Sequence, residues 1–163
     1  VTGTDPQLPG RWAAVASDLC AAVEAAWETF GRPDREPAVR IRHGTIPAYD
    51  QVDVVYVSLA RVLPVTDRNA RCAIWPRARF QLELVRGWPT DISLEHDTAA
   101  AAALVEDATI VWHTIAARCA EATLFPSVPT IDCRHVTVGD LTPIEPQGGV
   151  AGWRFPIDID LML

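Results

Sequence analysis

The chain has 163 residues and a formal net charge of −7, from 14 basic and 21 acidic side chains. Its hydrophobic fraction of 49% excludes an intrinsically disordered chain, and no apolar run reaches the roughly 18–20 residues that span a bilayer. The acidic balance argues against broad nucleic-acid or membrane binding. All 14 basic residues are arginine and 24 positions are alanine, a composition typical of a GC-rich genome. The first residues, Val1 to Pro6, have neither the basic start nor the apolar stretch of a signal peptide, so one soluble intracellular domain is expected.

Residues 1–10 read as a flexible arm, with residues 11–163 forming the domain. From Arg11 to Phe30 the apolar residues Trp12, Val15, Leu19, Val23, Ala26, Trp27 and Phe30 recur at helical spacing. Gly31 is suited to the position after the last helical turn, and Pro33 bars continuation. Val39–His43 alternates as a short strand. Val52–Leu63 reads as a longer strand, apolar on both faces and therefore in need of cover on both, the second cover being open to another subunit. An excursion over residues 64–79 follows, and from Arg61 to Arg79 five arginines face one acid. Phe80, Leu82 and Leu84 alternate with Arg79, Gln81, Glu83 and Val85 as a half-buried strand.

A second helix is expected from Thr98 to Leu124, with Asp97-Thr98 as its cap and Leu104, Ala108, Val111, Trp112, Ile115, Cys119 and Ala122 as its buried stripe. Asp132–Leu141 reads as a strand and Thr142–Gly149 as a turn-rich connection. The last segment alternates, with Phe155, Ile157, Ile159 and Leu161 inward and Arg154, Asp158 and Asp160 outward. Pro156 cannot donate to a ladder, which predicts an edge or a bulge there. The order α-β-β-β-α-β-β predicts an α+β two-layer sandwich: a mostly antiparallel sheet of four to five strands with both helices on one face.

No nucleotide loop, nucleophile elbow or HExxH motif is present, and no catalytic residue, cofactor or metal site is nominated. Cys20, Cys72, Cys119 and Cys133 are too widely spaced for a zinc framework and read as reduced structural thiols. His113, beside Trp112, has no nominated partner and reads as a surface histidine. Trp12, Trp27 and Trp112 fall on helical stripes, whereas Trp75, Trp88 and Trp153 lie near turns, where large aromatics often mark interfaces. Charge is unevenly spread: residues 1–86 hold 11 Arg against 10 acids, and residues 87–163 hold 3 Arg against 11 acids. Arg68, Arg71, Arg77 and Arg79 therefore have an acidic counterpart in the second half of another copy, an arrangement that favours head-to-tail association.

Two stretches support a resemblance: Leu104-Val105-Glu106-Asp107-Ala108 on the long helix, and Pro146-Gln147-Gly148-Gly149-Val150-Ala151-Gly152-Trp153 before the final strand. With this element order, the chain resembles the head-to-tail connector and tail-terminator proteins of long-tailed phages infecting actinobacteria, over about Arg11 to Leu161. The resemblance implies a structural virion protein rather than an enzyme. It implies a homo-oligomeric ring, typically of six subunits, at the neck of the virion, capping the tail tube and docking to the head-side connector or stopper. Double-stranded DNA would pass through the ring, with no membrane involved. Arg68, Arg71, Trp75, Arg77, Gly148, Gly149 and Trp153 are the expected interface residues, and Asp158 and Asp160 the expected channel-lining acids. The alternatives are a head-side adaptor or stopper, and a small α+β enzyme or ligand-binding domain of a GC-rich bacterium.

Overall fold

The computed structural model describes residues 8–43, 51–65, 75–90 and 94–160. Helix α1 spans Leu8–Thr29 and is followed by a 3₁₀ turn, Pro33–Arg35. Strands β1 (Ala38–His43), β2 (Val54–Val65) and β3 (Trp75–Gly87) precede helix α2 (Leu94–Ala120). A 3₁₀ turn, Cys133–His135, then leads into β4 (Val136–Val138), β5 (Thr142–Gln147) and β6 (Val150–Asp160). No helix among the described residues is long and apolar enough to cross a membrane.

The architecture is α+β with both helices on one face of a single sheet, as the element order predicts. The sheet differs in two respects. Among the described residues it has six strands, in the order β1-β2-β3-β6-β4, with β5 also on β6. It is mixed: β1 and β2 run parallel, Ala38 beside Val54 and His43 beside Leu59, while the other pairings are antiparallel. A short alternating strand reveals its faces but not its partner's direction, and the ten residues between His43 and Val54 suffice to bring the chain back along a six-residue strand.

The first helix ends as expected. Gly31, at φ 68°, lets Arg32 N donate to Trp27 O and Gly31 N to Glu28 O, satisfying the last carbonyls. The second helix starts four residues earlier than expected, so Asp97 and Thr98 lie inside it rather than capping it, and it ends at Ala120 rather than Leu124, which leaves Ala122 beyond its stripe. Its C-terminal end uses the same geometry, with Thr123 N on Arg118 O and Ala122 N on Cys119 O, but the left-handed position is held by an alanine, Ala122, at φ 58°. A Cβ is disfavoured there, so Ala122→Gly is expected to stabilise the fold by about 0.5–1 kcal/mol, read as a higher midpoint in thermal unfolding.

Helix stripe and sheet face meet in one core. Val15, Leu19, Val23, Ala26 and Trp27 of α1 and Leu104, Val111 and Ile115 of α2 pack on Val55, Val57, Phe80, Leu82, Leu84, Phe155, Ile157 and Ile159. Phe30, expected on this stripe, is 44% exposed and stands edge-on against His113. The opposite sheet face has a smaller cluster of Val54, Tyr56, Val85, Ile144 and Val150, with the Arg42 guanidinium 4.4 Å above the Tyr56 ring. Val54 and Tyr56 are buried within the single chain, so this part of β2 does not require cover from another subunit.

Strand β6 is central rather than peripheral, and the missing donor of Pro156 is accommodated on its β4/β5 side. Gly139 N donates to Pro156 O, placing Pro156 opposite the break between β4 and β5. Trp112 Nε1 donates to Gly139 O at 3.0 Å and ties α2 to this break. The stretch expected as a turn-rich connection, Thr142–Gln147, is strand β5. Its two prolines are tolerated because it lies at the sheet edge.

Candidate functional site

Helix α2 places Asp107 three residues after Leu104, on the buried stripe. A lone carboxylate there would be costly, and two guanidiniums from distant elements meet it. Arg35, ending the first 3₁₀ turn, brings Nη2 to 2.9 Å from Asp107 Oδ2. Arg86 continues the helix-facing row of β3 beyond Leu84, and its Nε lies 2.9 Å from the same oxygen. Side-chain exposure is 1% for Asp107 and 14% for Arg86.

Further bonds fix both arginines. Arg86 Nη2 donates to Arg35 O at 2.6 Å, and its Nη1 lies 3.4 Å from Asp53 Oδ1. The Arg86 guanidinium also sits over the Trp27 ring. Arg35 donates to Ala103 O, and Arg32 and Arg35 both reach Glu106. Two buried atoms here, Asp107 Oδ1 and Trp27 Nε1, have no hydrogen-bond partner among the described residues. Native folds seldom leave such groups unpaired.

This array borders a cavity of about 380 Å³ lined by Asp34, Arg35, Glu36, Asp53, Arg86, Gly87, Trp88, Ala100, Ala103, Leu104 and Asp107. Asp34, Glu36 and Asp53 form an exposed rim; Ala100, Ala103 and Leu104 supply an apolar wall. Arginine keeps its proton in proteins, so the two guanidiniums hold charge in place rather than transfer protons. The cavity is suited to gripping a donor-bearing, positively charged group.

A second charged array lies on the sheet face away from the helices. Arg77 Nε and Nη2 donate to the two oxygens of Asp160, and Arg79 Nε and Nη2 to those of Asp158. The hydrogen bond from Arg77 holds the Asp160 carboxyl below the ordinary aspartate range, against the opposing effect of burial. Both acids expected to line a channel are thus paired within their own chain. Arg77 and Arg79 likewise draw on their own chain's acidic half rather than on a neighbour's.

The third feature is the β2–β3 hairpin. Strand β1 pairs with β2 only as far as Leu59, whereas β2 and β3 stay paired out to Val65 and Trp75. Ala60 is an extra residue at a bulge. It resets the alternation so that Arg61 and Leu63 share the face of Arg79 and Arg77, while Val62 turns to the helix side with Ala78. Among the described residues no strand pairs with the outer edge of residues 60–65, and Val62 and Leu63 are 45% and 41% exposed.

The remaining expected interface residues scatter. Arg68 and Arg71 lie outside the described residues, and Trp75 opens β3 opposite Val65. Gly148 and Gly149, at φ 59° and 79°, make the two-residue turn of the β5–β6 hairpin, and Trp88 N donates to Gly149 O. Trp153 and Trp88 are half-buried against the main core. Cys20 and Cys119 are free thiols; burial and nearby Glu24 push the Cys20 thiol up to about 11, so it is not a reactive thiolate at neutral pH. Cys72 lies outside the described residues. Among the described residues, no three His, Cys, Asp or Glu side chains gather as a metal site.

The sequence alone puts Asp107 only within the Leu104–Ala108 stretch of the long helix. Its position on an apolar stripe was the available signal, since an acid there needs a buried cation, but the partners lie 72 and 21 residues away. No known family model and no curated protein sequence matches this chain.

Proposed function

We propose that this chain is a structural subunit of the phage neck, of the tail-terminator type, rather than an enzyme. In this reading copies associate head to tail into a ring, of six subunits on the resemblance. The ring caps the tail tube, joins it to the head-side connector, and lets double-stranded DNA pass. The observation that supports the reading best is the β2–β3 hairpin. An unpaired strand edge bearing exposed Val62 and Leu63 is a liability in a monomer and an asset in a subunit that a neighbour covers. The element order and the Gly148-Gly149 hairpin add the family resemblance.

The channel is not assigned to Asp158 and Asp160. With a guanidinium bound to each, they present little net negative field to a passing phosphate backbone. The locus encoding the chain tests the reading. Genes for a portal or capsid protein on one side and a tail-tube protein on the other are expected. A locus of metabolic genes would overturn it.

A further inference from the structure

The two unexplained features of the surface lie at opposite ends of the same β-ladder. At one end β2 exposes Arg61 and Leu63 on a single face, two residues apart, where among the described residues no strand pairs with its outer edge. At the other end Asp53, just before β2, and Arg86, Gly87 and Trp88, ending and following β3, border the 380 Å³ cavity. Nine residues of strand separate Arg77 from Arg86, about 30 Å at the rise of an extended chain.

Their chemistry is complementary. Arg61 lies opposite Arg79, a like-charge pairing that disfavours both unless each finds an anion. Arg79 has Asp158; Arg61 has no ion pair among the described residues. At the cavity the situation is reversed. Asp34 and Glu36 are exposed without an ion-pair partner among the described residues, and Asp107 Oδ1 behind them is buried without a donor. The two cavity arginines are already committed to Asp107, Glu106 and Asp53. A guanidinium has enough donors to serve several such oxygens at once, and the apolar wall of Ala100 and Ala103 suits a following leucine.

We infer that this cavity is a socket for the exposed part of strand β2 of a second copy of this chain, which seats Arg61 among Asp34, Glu36 and Asp53 and lays Leu63 on Ala100 and Ala103. The inference rests on the ring reading and deepens it by naming both halves of the contact. Because plug and socket are different surfaces about 30 Å apart, the contact is heterologous and leaves each copy with one free plug and one free socket. Repetition then gives a ring or an open chain, never a closed two-fold dimer.

Charge reversal tests this in solution. Sedimentation velocity of the wild-type chain at high concentration is expected to show self-association. Arg61→Glu and Glu36→Arg are each expected to weaken it by about tenfold or more. Both residues are exposed, and unchanged circular dichroism melts verify folding. Mixed in equal amounts, the two single variants are expected to recover assembly together, since the intact plug of Glu36→Arg meets the intact socket of Arg61→Glu and the remaining plug and socket carry mutually reversed charges. The double variant is expected to recover association. Rings that persist in both single variants would overturn the socket while leaving the ring reading standing. A wild-type chain that stays monomeric at high concentration would overturn the socket and leave the neck reading to its locus. A mixture that fails to associate although wild type does would overturn the pairing of Arg61 with the Glu36 socket.

Discussion

Asp107→Ala is expected to destabilise the fold by about 3–5 kcal/mol, the largest loss of any single substitution considered. Burying an ion pair does not by itself stabilise a protein, because both partners give up hydration. Once the pair is buried, however, removing one member leaves the other's charge uncompensated. Asp107 is 1% exposed and answers two guanidiniums, so its loss strands Arg86 at 14% exposure over the Trp27 ring. Asp53 remains near Arg86, but it is 62% exposed and 3.4 Å away, a weak replacement. The two ion pairs of Asp107 join α2, the first 3₁₀ turn and the end of β3, three elements far apart in the chain. Urea denaturation is the measurement, and a thermal midpoint lowered by about 10 °C is the corresponding shift. A loss under about 1 kcal/mol would show that the array is dispensable to the fold.

Gly152→Ala is expected to cost about 2–3 kcal/mol by a different mechanism. A Cβ at Gly152 would lie 2.1 Å from Leu84 O and 3.2 Å from Ile144 Cδ1. The isoleucine can rotate, but the carbonyl belongs to the central β3 strand and cannot yield without shifting the β3–β6 ladder. Gly87→Ala is the internal control. It lies in the same pair of strands, opposite Val150, and a Cβ there meets nothing within 4 Å. Parallel denaturation curves should show Gly87→Ala within about 0.5 kcal/mol of wild type. Equal losses in the two variants would mean that glycine matters here for some reason other than the close approach of Leu84.

How much of this was legible in the sequence depends on whether the determining contact is local. The α1 stripe and its termination at Gly31 are local, and both are found as read except for Phe30, which lies outside the core. The inward row Phe155, Ile157 and Ile159 is equally direct, because alternation alone sets which face is buried. The parallel partnership of β1 and β2 was not legible, since nothing in Val39–His43 encodes the direction of its neighbour. Strand β5 was hidden by Pro143 and Pro146, which locally favour turns and are tolerated only because the strand lies at an edge. The pairings of Asp158 with Arg79 and of Asp160 with Arg77 depend on β3–β6 register, so both acids read as free surface charges until the strands are aligned. The Asp107 array follows the same rule. The misplaced acid was visible; its partners required the fold.

These observations change what the charge asymmetry means. Part of the imbalance between the halves is consumed inside the subunit, by the β3–β6 ladder and the Asp107 array. The contact inferred above instead draws on the first half alone: Arg61 on strand β2, and Asp34 and Glu36 beside the cavity. A plug and a socket at opposite ends of one rigid ladder set a fixed rotation between neighbours, the requirement for a closed ring. Electron microscopy of the purified chain tests that claim most directly. Annular particles with an open centre, lost in both Arg61→Glu and Glu36→Arg, are the expected result. Particles that are uniformly monomeric, or two-fold dimers without a central opening, would contradict it.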